Sequence, residues 1–182
     1  IDSRSVSWDL ALSGSVNNNK LVALGTGVEP IIFGFGLQRH VEGLPLGGYW
    51  ARPILGFGDA NGDGIIAADE VTVGDTAVYR GRTLPNKEMS LNSGLTLFNG
   101  RVRLGTQFDY RGGSYIDNAI ESFRCTPVLN CRGLVDRTAP LDEQARGQAV
   151  LNEATEWGYF EPGWFIKLRE LSLTFFAPDS WA

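Results

Sequence analysis

Met89-Ser90-Leu91-Asn92-Ser93-Gly94-Leu95-Thr96-Leu97-Phe98-Asn99-Gly100-Arg101-Val102-Arg103-Leu104-Gly105-Thr106-Gln107-Phe108-Asp109-Tyr110-Arg111 is the stretch that decides the fold. Two segments of alternating polarity flank Asn99-Gly100, the dipeptide preferred in a two-residue type I′ hairpin turn. Folding about that turn sets Leu97 opposite Val102, Leu95 opposite Leu104, Leu91 opposite Phe108 and Met89 opposite Tyr110 on one face. The other face pairs Thr96 with Arg103, Gly94 with Gly105, Asn92 with Gln107, Ser90 with Asp109 and Glu88 with Arg111. A slip of one residue would scramble both faces, so pattern and turn specify the same register. Each arm is about ten residues long, beyond the ~5–6 of an ordinary soluble strand and within the ~9–11 of a tilted membrane-crossing strand.

Similar alternation occurs at both ends of the chain. Over residues 5–16, Val6, Trp8, Leu10, Leu12 and Val16 share one face, and Ser5, Ser7, Asp9, Ser13 and Ser15 share the other. Asn17-Asn18-Asn19-Lys20 then reads as a turn. Over 164–177, Leu171, Leu173 and Phe175 oppose Ser172 and Thr174, and Pro178 ends the segment. A further strand is expected at Ile31, Phe33, Phe35 and Leu37, alternating with Gly34, Gly36 and Gln38. Residues 41–50 read as irregular. Residues 112–163 read as a long loop, within which 141–156 has the composition of a short surface helix; so long an insertion is normally functional.

Composition narrows the functions. The 182 residues include 23 glycines and 8 prolines, which argues against a helical bundle. Sixteen basic and 21 acidic residues give a net charge of −5, and no basic patch suited to nucleic acid is visible. His40 is the one histidine, which leaves His-based zinc sites and His-dependent nucleophilic catalysis almost no material. Gly25-Thr26-Gly27 and Gly34-Phe35-Gly36 do not complete a dinucleotide-binding glycine motif. No acid/base pair with a partner emerges, so the chain is not expected to be an enzyme and no catalytic residue is assigned. No apolar run approaches the ~20 residues of a membrane helix. The chain opens Ile1-Asp2-Ser3-Arg4, without an initiator Met or a leader, and is expected to be a piece of something longer.

Residues 59–70, Asp-Ala-Asn-Gly-Asp-Gly-Ile-Ile-Ala-Ala-Asp-Glu, match the calcium-loop template at every fixed position. Calcium takes six to eight oxygens in a loose shell. Asp59, Asn61 and Asp63 offer side-chain oxygens on one wrapping turn. Gly64 allows the bend, the Ile65 carbonyl adds a ligand, and Glu70 can supply two oxygens, with Asp69 a rival for that last place. The competing reading is an Asp/Asn/Gly-rich surface turn that holds no ion. The flanks lack amphipathic helices, which favours a lone structural loop over an EF-hand pair. Cys125 and Cys131, with five residues between them, form a short disulfide or remain two thiols; the bridge is preferred and implies an oxidising compartment. Trp8, Tyr110, Trp164 and Phe165 lie near strand ends, as an interfacial aromatic girdle or as sandwich core. Arg101, Arg103, Asp109 and Glu170 line a wet channel or a solvated sheet face.

Several of these segments fall in one order. Val41-Glu42-Gly43-Leu44-Pro45-Leu46-Gly47 precedes the 59–70 loop. Gly74, Leu84-Pro85-Asn86, the long hairpin and Gly112-Gly113-Ser114-Tyr115-Ile116-Asp117-Asn118 follow. Trp164 to Pro178 closes the series. This order resembles the C-terminal part of SusC/RagA-like TonB-dependent outer-membrane transporters, and the resemblance covers most of 40–178. Lys167 stands where arginine is more usual, and Phe175-Phe176 replaces the family's aromatic ending.

The resemblance implies an all-β fold: four to five antiparallel strands of a transmembrane β-barrel with long external loops, 1–182 being a fragment whose plug lies elsewhere. It implies residence in the bacterial outer membrane, contact with lipid, import of bulky oligosaccharides or peptides, a SusD-like surface lipoprotein as partner, and TonB acting through the absent plug. Asn99-Gly100 would face the periplasm, and 40–88 and 112–163 the exterior. The alternative of another class is a soluble secreted β-sandwich binding module with a structural calcium loop.

Overall fold

A computed structural model describes residues 5–177. The expected stop at Pro178 lies outside the described residues. In chain order the strands are β1 (Val6–Val16), β2 (Ile31–Phe33), β3 (Gln38–His40), β4 (Gly48–Ala51), β5 (Ile54–Phe57), β6 (Val71–Val73), β7 (Val78–Gly81), β8 (Lys87–Leu97), β9 (Val102–Gly112), β10 (Tyr115–Asp117), β11 (Phe160–Pro162) and β12 (Phe165–Phe175). The helices are α1 (Ala119–Cys125), α2 (Arg132–Val135) and α3 (Leu141–Glu153). The protein is mostly antiparallel sheet with a few short helices. It divides into two units. One holds residues 1–17, 85–113 and 164–182; the other holds 18–84 and 114–163.

The first unit is a single antiparallel sheet of four eleven-residue strands in the order β1-β8-β9-β12. The β8–β9 register pairs Leu97 with Val102, Leu91 with Phe108 and Glu88 with Arg111, as the alternation specifies. The connection spans residues 98–101: Asn99 and Gly100 have φ of 56° and 89°, as the central residues of a type I′ turn require, the Arg101 N–H donates to the Phe98 carbonyl at 3.3 Å, and Phe98 is itself left-handed at φ 54°, which the expected two-residue turn does not include. β1 adds in register, with Trp8 opposite Leu95 and Leu12 opposite Leu91.

β12 presents a parity problem. Ile166 and Leu168 are even-numbered, while Leu171, Leu173 and Phe175 are odd. A regular strand would put them on opposite faces. A β-bulge at Arg169 absorbs the extra residue, so Leu168 faces Phe108, Leu171 faces Thr106, and all five apolar side chains share one side. The bulged Arg169 turns to the polar side, where its Nε donates to Asp109 Oδ2 at 2.7 Å.

On that polar side Arg103 reaches across β8 to Asp9, its two terminal nitrogens 2.8 and 2.9 Å from the two carboxylate oxygens. The crossing passes over Gly94, where a Cβ would strike the guanidinium and the carboxylate. The opposite face is apolar over all four strands, with the paired Ser93 and Thr106 its polar exceptions, and uncovered: Leu12, Ile166, Leu171, Leu173 and Phe175 are each more than half exposed. Among the described residues no buried hydrophobic side chain lies in this sheet.

The second unit contains the core. Its sheets are β2-β3-β4-β7, β5-β6 and β10-β11. The strand expected through Leu37 stops at Phe33, because Gly34, Phe35 and Gly36 take positive φ and turn the chain into β3. Phe35 sits fully exposed at that tip. Residues 112–163, expected as a long loop, are folded: they contain β10, β11 and all three helices. The expected helix within 141–156 is α3, ending at Glu153; it is a surface helix with one buried face, formed by Gln144, Ala145, Gly147, Ala149 and Val150. Asp142 and Glu143 in its first turn complement the helix dipole.

Cys125 and Cys131 are joined by a disulfide. They pack with Val150, Tyr159 and Leu134, and the Tyr159 hydroxyl donates to Cys125 Sγ at 3.0 Å. Both cysteines are 1% exposed, so the bridge is part of the core. Closing so short a loop restricts the unfolded chain by about 2 kcal/mol. The double variant Cys125→Ser/Cys131→Ser is expected to lower the unfolding free energy by about that much, read by urea denaturation. Unchanged stability of both the variant and the reduced wild type would remove the bridge from the core's support.

Candidate functional site

The calcium-type sequence forms the long loop of a hairpin. β5 leads into it, a 3-10 turn (Ala68–Glu70) ends it, and β6 pairs back on β5 with Phe57 opposite Val71. The flanks are strands and a single short turn, not an EF-hand's helices. Donation from Gly58 N to the Glu70 carbonyl closes the base at 3.2 Å.

Within the loop the polar side chains organise the backbone. Asp59 Oδ1 accepts from the Gly62 and Asp63 N–H groups, and Oδ2 from the Gly64 N–H at 2.8 Å. Asn61 Oδ1 accepts from Asp63 N, and Asp63 Oδ1 from Ile65 N. Gly64 takes φ 79°, the left-handed value the bend requires. Glu70 folds back over the loop, with Oε1 on Ala60 N–H and Oε2 on Ala67 N–H, both at 2.9 Å. Asp69 is exposed and makes no such return, so of the two rivals Glu70 is the residue that closes the loop.

The donor chemistry fits calcium: carboxylates, an amide oxygen and the Ile65 carbonyl are all hard oxygens. Among the described residues no three Asp, Glu, His or Cys side chains gather about one point. Asp59 Oδ1 spends both lone pairs on the Gly62 and Asp63 N–H groups, whereas Asp59 Oδ2 and the Asp63 and Glu70 oxygens each accept one hydrogen bond and retain a further lone pair. The residues that would hold the ion are Asp59, Asn61, Asp63, Ile65 through its carbonyl, and Glu70.

Sequence reasoning did not find the side chain that anchors this loop. Gln144 of α3 is 2% exposed. Its Oε1 accepts from Ile66 N at 2.9 Å, and its Nε2 donates to the carbonyls of Gly64 at 3.2 Å and Ala139 at 2.9 Å. Nothing in a Gln within a helix-forming run distinguishes it from a solvated one.

A second cluster also escaped the sequence. The Arg80 guanidinium lies between the Tyr115 and Trp157 rings, 4.5 and 5.0 Å from their centroids. Asp117 and Glu156 are half-buried, and each leaves one buried carboxylate oxygen without a hydrogen-bond partner. Burial raises both carboxyls above their ordinary range; for Glu156 the Ser122 hydroxyl at 2.8 Å opposes the shift and the Asp117 charge adds to it.

Of the other residues singled out, His40 Nδ1 accepts from Gly47 N at 3.0 Å, a wall role. Trp8 lies near the Asn99-Gly100 end of the sheet, and Tyr110, Trp164 and Phe165 at the opposite end. Arg103, Asp109 and Glu170 share the sheet's polar face.

No family model and no curated protein matches the chain.

Raised carboxyl pKa values mean that the folded state holds its protons more tightly than the unfolded one, so stability falls as pH rises through the folded values. The melting temperature, measured in a chelator, is expected to be higher at pH 5 than at pH 8. Glu156→Gln should flatten that slope and raise the pH 8 value. A slope unchanged in Glu156→Gln would rule Glu156 out as its source.

Proposed function

We propose that this chain contributes four strands and their folded exterior segments to a transmembrane β-barrel of the bacterial outer membrane. The proposed barrel is that of a SusC/RagA-like TonB-dependent transporter, importing oligosaccharides or peptides with a SusD-like surface lipoprotein and driven by TonB through a plug. The observation that carries the reading is the uncovered face of the four-stranded sheet, apolar on all four strands apart from Ser93 and Thr106.

Magnitudes favour a lipid neighbour. Burying one Leu or Phe side chain is worth about 1.5–3 kcal/mol, and this face carries many of them. Exposed apolar patches beyond a few hundred Å² mark interaction or membrane surfaces. Eleven residues at ~3.4 Å each extend roughly 35 Å, and a tilt near 40° brings that to about 27 Å, close to the ~25 Å apolar band of outer-membrane barrels. The aromatic residues at both strand ends suit the two interfaces. The reverse face, with its ion pairs Asp9–Arg103, Asp109–Arg169 and Glu88–Arg111, suits a hydrated lumen. No helix among the described residues is long and apolar enough to cross a membrane, so the crossing would be by strands. A β-sandwich would need a second layer on the apolar face, which argues against the soluble alternative.

We further propose that the 59–70 loop binds a structural calcium ion that stiffens the second unit. Limited proteolysis is expected to cut within 59–70 faster in EDTA than in millimolar calcium; equal rates would argue against a bound ion.

An arginine at Leu171, midway along the apolar face, is expected to cost about 2–4 kcal/mol at the bilayer midplane and to deplete the protein from the outer-membrane fraction. A lysine at Asn92, midway along the polar face, should leave that fraction unchanged. Recovery of the wild type in the soluble fraction without detergent would overturn the reading.

A further inference from the structure

The loop 59–70 does not stand alone. Its base is the β5–β6 hairpin, and α3 packs on β5, on β6 and on the 3-10 turn at Ala68–Glu70. The polar link is Gln144, which takes the peptide groups on both sides of Ile65: the Gly64 carbonyl on its Nε2 and the Ile66 N–H on its Oε1. Ile65's own N–H turns instead to Asp63 Oδ1, within the loop. Among the described residues no hydrogen bond reaches the Ile65 carbonyl. The glutamine thus fixes the one stretch of backbone from which the loop's main-chain ligand comes.

Burial makes this a rigid clamp. Ile66 is 0% exposed and Gln144 2% exposed. An unmet buried N–H is costly, so the Ile66–Gln144 bond persists whenever α3 is docked. The third bond, to the Ala139 carbonyl, secures the amide orientation: with N and O exchanged, all three bonds would be lost.

We infer that Gln144 is the positioning residue of the calcium loop, and that cation binding at 59–70 is coupled through it to α3 and the disulfide-bonded helices. This rests on the calcium reading above. Coupling of this kind is reciprocal: what α3 does for the ion, the ion does for α3. α2 and α3 pack together, and Val150 of α3 lies against Cys125 and Cys131, so the order imposed at the loop reaches residues far away in sequence.

The test is a calcium titration of the full chain in detergent micelles by calorimetry, paired with amide hydrogen exchange with and without calcium. In the wild type, calcium should slow exchange at Ile66 and over residues 144–150 by tenfold or more. Gln144→Ala should weaken calcium binding about tenfold, whereas Gln148→Ala, one turn along α3, should not. Should Gln144→Ala fail to fold, the wild-type exchange data still decide, because protection of α3 by calcium is the coupling itself. Calcium binding by the wild type with no change in α3 exchange, or with full affinity in a folded Gln144→Ala, overturns the inference and leaves the calcium reading standing. Absence of any calcium binding by the wild type defeats both.

Discussion

Side chains on a β-strand leave alternately to its two sides, and the rest of this protein follows from that constraint. A sheet with one oily face must have an oily neighbour. Soluble proteins supply it with a second sheet or a helix layer. Here four eleven-residue strands keep their aliphatic and aromatic side chains together on one side, and that side is uncovered. Keeping it continuous requires local departures from regularity. Arg169 is bulged out so that Leu168 and Leu171, three apart in sequence, can point the same way. Gly94 gives up its side chain so that Asp9 and Arg103 can meet across the middle of three strands. That pair contributes little stability in water, being exposed. In a hydrated lumen its value would be to keep two charges satisfied on one wall.

The second unit solves the opposite problem. It has water-facing surface and few large apolar side chains to bury. Its buried hydrophobic set is dominated by small or bridged residues: Ala51, Ala139, Ala145, Ala149, Cys125 and Cys131. A core of that kind provides limited transfer free energy, so covalent and polar ties carry more of the work. The disulfide is one tie. Gln144 is another, meeting the Ile66 N–H and two carbonyls with one side chain. The carboxylates of 59–70, wrapped on their own backbone, are a third. The costs are visible too: Asp117 and Glu156 each hold a buried oxygen without a partner, and burial resists their ionisation.

This difference explains what could be read from the sequence and what could not. The register of the 89–111 hairpin was readable because turn chemistry and face alternation are independent signals that agreed, although the left-handed Phe98 was not. Residues 5–16 were readable for the same reason on the pattern side alone. Over 164–177 the apolar run changes parity, and only the pairing with β9 reveals that Arg169 is the residue set aside. At 31–37 alternation misled, since glycines on either side of Phe35 permit a left-handed turn that a period-two count does not register. The 112–163 segment looked unstructured because small residues, prolines and a disulfide give no periodic apolar stripe. Its order comes from packing among its own helices around the disulfide, with α3 also docking on β5 and β6 far away in sequence. The ligand residues of 59–70 were readable as a motif, but the choice of Glu70 over Asp69 needed the backbone to show which carboxylate turns inward.

The two units therefore call for different surroundings, and this limits where such a chain can be stable. The sheet's aliphatic face calls for a hydrocarbon neighbour. The disulfide calls for an oxidising, aqueous one. The oxygen-rich loop, if it holds calcium, calls for a medium in which that ion is plentiful. The outer membrane proposed above would offer the three together. The bulge at Arg169 serves the sheet's apolar side. With Leu168 or Leu171 turned to the wet side, the apolar face would lose a side chain beside Ser93 and Thr106, its existing polar pair, at the height where the proposed barrel would meet the middle of the bilayer.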